Sequence, residues 1–133
     1  MCNSLRAALA TLALATALMT ATPLVQAAAK PAVTSVSAQA RPAEYSGDCP
    51  AALEFVGTFR VSHHPVVVEY VWERSNHSRS AVRRIQARGT LQTITDEWGV
   101  GGPPGTMQVW EKLIILSPNS ISSAVAKATV NCQ

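Results

Sequence analysis

Five arginines, Arg74, Arg79, Arg83, Arg84 and Arg88, fall within fifteen residues of this 133-residue chain. Guanidinium groups form paired, directional hydrogen bonds with phosphates and carboxylates, so this cluster is a candidate contact for an anionic surface polymer or an acidic partner such as an envelope protein. The same arginines could instead pair internally with Glu69, Glu73, Asp96 and Glu97, or keep a sheet edge from pairing with other chains. Trp98 borders a stretch with four glycines and two prolines, Gly99 to Gly105. It is a candidate loop contact, because loops on a rigid scaffold commonly carry recognition, or else a cap on the core.

Other chemistry finds less support. His63, His64 and His77 are potential zinc or copper ligands, but adjacent residues on a strand point to opposite faces, and His77 lies a strand length away. No metal or other cofactor is therefore expected. Asp96 and Glu97 diverge for the same reason. No GxSxG, HExxH or P-loop spacing sets a nucleophile beside a base, so no catalytic residue is assigned and the chain reads as a non-enzyme.

The elements that must position these residues read as strands. Leu53 to Val61 alternates Leu53, Phe55, Gly57, Phe59 and Val61 against Glu54, Thr58 and Arg60, the period-two pattern of a half-buried strand. Val66 to Arg74 follows, with Trp72 the expected centre of the core. A weaker run covers Ala81 to Ala87, then come Thr90 to Trp98, Met107 to Leu116 and Val125 to Cys132. Met107 to Leu116 is apolar on both faces and reads as central. Six or seven short strands separated by turn signals fit an all-β, immunoglobulin-like antiparallel β-sandwich, with a small β-barrel as the alternative.

The first 27 residues differ in kind. Arg6 precedes an uncharged run from Ala7 to Met19, the pattern of a signal peptide. As a helix that run would extend roughly 20 Å, short of the roughly 30 Å needed to cross a bilayer, so no transmembrane anchor is expected. Small residues before the junction place cleavage after Ala27, or alternatively after Ala29. Residues 28–48, rich in Ala, Pro and Ser, read as a flexible leader, with an extra edge strand near Val33 to Val36 as the alternative, and 49–133 as the folded domain. Removing residues 1–27 takes Cys2 and Arg6, leaving Cys49 with Cys132 and a net charge of +2 rather than +3. An even cysteine count in an exported chain implies a disulfide, Cys49 to Cys132, and a secreted or periplasmic location. The small net charge gives no reason to expect a nucleic-acid partner.

The ordered set Cys49-Pro50, Gly57-Thr58-Phe59, Tyr70-Val71-Trp72-Glu73-Arg74-Ser75-Asn76, Gly89, Asp96-Glu97-Trp98, Ser117-Pro118-Asn119 and Cys132 resembles small exported bacterial Ig-like β-sandwich domains. Those domains carry a Trp-x-Arg-Ser-Asp/Asn turn, and their functions are mostly unassigned. His77 stands where the pattern has glycine. The resemblance implies the fold and no catalytic residues. The expected function is that of an exported, non-catalytic binding or envelope-interaction module, using either the arginine hairpin or the 98–106 loop. The alternative is a small secreted enzyme or enzyme inhibitor.

Overall fold

The computed structural model describes residues 17–25 and 28–133. Most of the expected signal segment, residues 1–16, and the junction at 26–27 lie outside the described residues. Among the described residues, no helix is long and apolar enough to cross a membrane.

The described residues form strands and no helices: β1 (Val33–Arg41), β2 (Glu44–Gly47), β3 (Ala51–Val61), β4 (Val66–Arg74), β5 (Arg83–Ala87), β6 (Leu91–Val100), β7 (Gly105–Ser117), β8 (Ile121–Ser122) and β9 (Ala126–Cys132). One sheet has the order β1-β3-β6, and the other β2-β9-β7-β4-β5, with β8 beside β7. The sheets pack face to face around Trp72, Phe55, Phe59, Leu53, Leu113 and Ile115, all essentially inaccessible to solvent. All pairings are antiparallel except β2 with β9, which run parallel.

Residues 28–48 are a correction to the expected flexible leader, because they contain β1 and β2. Their apolar side chains are too small and too few to announce a strand. Pairing with β3 along Val33 to Arg41 satisfies their backbone instead. Val33 is buried, and the Asn119 side chain fixes it at both ends, accepting from its N–H at 2.7 Å and donating to its carbonyl at 2.9 Å. Pro31 and Pro42 bound β1 rather than prevent it. These added strands, with the short β8, raise the number among the described residues to nine, above the six or seven expected.

The core closes tightly where β3 crosses β4 and β7. Trp72 and Leu113 are register partners, and a β-carbon added at Gly57 would lie 2.6 Å from Leu113 Cδ2 and 2.9 Å from Trp72 Cη2. Glycine is needed there for close approach. Gly57→Ala is accordingly expected to lower the unfolding free energy by about 1–3 kcal/mol through overpacking, measured by urea denaturation.

Cys49 and Cys132 form a disulfide, with Cα atoms 5.4 Å apart. It ties the segment before β3 in one sheet to the end of β9 in the other. Gly101 backs it: its φ is +90°, and a β-carbon there would lie 2.6 Å from Cys132 Sγ. The resemblance-based departure at His77 also has a structural counterpart. His77 adopts the left-handed conformation, with φ of 67°, that glycine would occupy more easily.

Candidate functional site

Backbone alternation places one guanidinium and two carboxylates between the sheets. Arg74 continues the inward series Val68, Tyr70, Trp72 on β4. Glu111 lies between the buried Val109 and Leu113 on β7, and Asp96 follows the buried Ile94 on β6. Arg74 and Glu111 are directly opposed across β4 and β7, whereas Asp96 reaches in from the other sheet. Arg74 Nε donates to Glu111 Oε1 at 2.9 Å, and its Nη2 donates to Asp96 Oδ2 at 2.7 Å. Arg83 meets the other Asp96 oxygen at 2.8 Å. Glu111 is 0% exposed and Asp96 4%, so these ions are paired because isolated burial would be prohibitive.

The electrostatics differ between members. Burial pushes the Glu111 carboxyl up, the Arg74 hydrogen bond pulls it down and neighbouring Asp96 raises it again, leaving it at about 7 against an ordinary 4.5. Its Oε2 is buried without a protein partner. For Arg74, burial works against the charge, but hydrogen bonds to Asp96 and Glu111 outweigh it and raise the pKa above the ordinary arginine value.

Glu111 consequently holds its proton more tightly when folded than when unfolded. Its contribution to stability is complete below pH 4.5 and is lost as pH rises through about 7. Half-buried Glu73 acts oppositely: its hydrogen bond from Arg79 lowers its pKa, so its contribution is present above 4.5 and fades in more acidic solution. Glu111→Gln, a neutral mimic of the protonated acid, is expected to remove the decline between pH 4.5 and 7. Urea midpoints across that range check it; an unchanged slope would assign the decline to another group.

Among the five arginines singled out from the sequence, four meet carboxylates. Besides Arg74 and Arg83, Arg79 pairs with Glu73 at 2.7 Å and Arg84 with Glu69 at 3.1 Å. Arg88 donates to Gln86 at 3.3 Å instead. Internal pairing thus accounts for most of the cluster, with Glu111 serving where Glu97 was expected. Glu97 is exposed, on the face of β6 opposite Asp96.

Trp98 lies in β6 rather than in a loop, and it is half-buried. Phe55 packs against it with ring centroids 6.5 Å apart at 41°, and the Arg74 guanidinium carbon sits 5.5 Å from its ring centroid. This cation–π contact couples the charge cluster to the tryptophan. Beyond Trp98 opens a shallow depression of about 390 Å³, lined by Ser75, Asn76, Trp98, Gly99, Val100, Gly101, Met107, Gln108 and Val109. It occupies the sandwich end where β4 has turned away and β7 continues. A second depression, about 540 Å³, lies between β2, β9 and Thr106 and has no tryptophan.

His63 and His64 are exposed between β3 and β4, whereas His77 lies in the turn after β4. The nine-residue β4 separates them, roughly 25–30 Å of extended chain. Among the described residues, no group of three or more His, Cys, Asp or Glu side chains is arranged to hold a metal ion. Comparison with protein-family models, with curated proteins and with solved structures gave no match.

Proposed function

We propose that this chain is an exported, non-catalytic binding module of immunoglobulin-like architecture that engages its partner with the Trp98 end of the sandwich. The strand order supports the architecture: β1-β3-β6 faces β9-β7-β4-β5, and β2 joins the last strand in parallel. Ig domains pack a tryptophan on their third strand against an inter-sheet bridge. Here Trp72 packs at the close approach of Gly57 and Leu113. The Cys49–Cys132 disulfide supports a secreted or periplasmic setting.

The observation that carries the functional reading is Trp98 itself. Its ring is fixed by Phe55 and Arg74 and borders an open depression with Asn76, Met107 and Gln108 at hand. A preorganised aromatic anchor beside polar groups is the composition of an interface hot spot. The arginine hairpin is the weaker contact surface, because most of its guanidinium groups already have carboxylate partners.

The test is a pull-down from the envelope fraction, followed by affinity measurement with the purified partner. Trp98→Ala and the rim variant Gln108→Arg are each expected to weaken binding about tenfold or more, while a combined Arg84→Ala and Arg88→Ala variant binds like wild type. Loss confined to the arginine variant would move the site to the hairpin.

A further inference from the structure

The two sheets have four edges among the described residues, and three carry a recognisable guard against pairing with another chain. β1 has a register irregularity between Val33 and Ser35 and prolines at both ends. β2 is only four residues long. β5 carries Arg83 and Arg84, with Arg88 just beyond it. Such features are how natural sheets keep exposed backbone from templating association.

β6 is the exception. It is ten residues long, its register with β3 is unbroken from Leu91 to Val100, and it contains no proline, lysine or arginine. Its inward charge, Asp96, is neutralised by Arg74 and Arg83. The direction of its unused backbone groups follows from one hydrogen bond: Val61 N–H donates to the Thr90 carbonyl at 2.9 Å. Thr90 therefore faces β3, and by alternation Thr93, Thr95, Glu97 and Gly99 direct their N–H and C=O groups away from it. Their side chains share the solvent face, together with Leu91, which is 51% exposed.

We propose that β6 is a self-association edge, where two copies of this chain pair antiparallel about a two-fold axis at Thr95. The register favours a second copy because the strand is self-complementary. Thr95 faces the second copy's Thr95, Thr93 faces its Glu97, and Leu91 faces its Gly99. No like charges are directly opposed, a threonine pair occupies the centre, and the exposed leucine lies over the position lacking a side chain. The two three-stranded sheets become one continuous six-stranded sheet, and the closed two-fold arrangement leaves neither β6 edge open. This inference goes beyond the Trp98 reading, because the interface centres on Thr95 rather than on the depression.

Sedimentation equilibrium of the disulfide-bonded protein, as its host processes it, tests the proposal at concentrations up to about 100 µM. Wild type is expected to dimerise. Thr95→Lys places two like charges directly opposite and should raise the dimer Kd at least tenfold. Thr93→Lys, facing the second copy's Glu97, should leave the Kd unchanged or lower it. Circular dichroism of each variant reports whether the monomer fold is retained; both substitutions lie on the exposed face of β6. A wild type that stays monomeric throughout would overturn the proposal. So would a Thr95→Lys protein that dimerises like wild type, or equal weakening by both lysines, which would refute the register.

Discussion

Arg74→Met is expected to lower the unfolding free energy by about 3–5 kcal/mol, the largest effect of a single surface-reaching side chain in this fold. Methionine retains much of the aliphatic stem but cannot donate. Glu111 Oε1 loses its 2.9 Å partner in a site without solvent access, and Asp96 keeps only Arg83. Trp98 also loses the cation above its ring. Arg79→Ala is the informative contrast: that arginine pairs with Glu73 at 2.7 Å, but its side chain is largely exposed. Its loss should cost only about 0–1 kcal/mol. Urea denaturation of both variants near neutral pH checks the difference. Similar shifts in the two would show that burial does not distinguish the pairs.

Removing the Cys49–Cys132 disulfide is expected to cost about 2–5 kcal/mol and to lower the Tm by at least about 10 °C. The bridge closes a separation of 83 residues and spans the two sheets near their common end. Part of its effect comes from restricting the unfolded chain. Part comes from the ends it fixes: β2 pairs with β9 over only four positions, ending with Gly47 opposite Cys132. Gly101 is packed on the same sulfurs, so the turn between β6 and β7 depends on that geometry. Calorimetry of oxidised protein and a Cys49→Ala, Cys132→Ala variant measures the loss. An unchanged Tm would mean that strand pairing alone holds these ends.

The strongly alternating segments were readable in the sequence because large apolar side chains marked their inward faces. Val66 to Arg74 matches β4, and the expected strands at 53–61, 90–98, 107–116 and 125–132 coincide closely with β3, β6, β7 and β9. β1 was legible only as the alternative of an edge strand near Val33 to Val36, since Ser35, Ser37 and Gln39 alternate with small or modest residues that do not signal burial. Its stability comes from β3 and from the Asn119 side chain, contacts distant in sequence.

The charge cluster was only half legible. The arginines stood out, but Glu111 did not, although it lies between Val109 and Leu113 on a face the alternation already made buried. Arg74 likewise extends the Val68, Tyr70, Trp72 series by one inward position. A charged residue at an inward position of a clear strand was the available signal. Which partner it meets depends on how the sheets stack, as Asp96 arriving from β6 shows.

Arg74 is committed to holding the two sheets together, with Trp98 fixed beside it. A double-mutant cycle on Arg74→Met and Asp96→Asn, read by urea denaturation, tests this most directly. A coupling energy of about 1.5–3 kcal/mol is expected for this buried pair at 2.7 Å. A coupling below about 0.5 kcal/mol would make the two effects independent and contradict a role for Arg74 in joining the sheets.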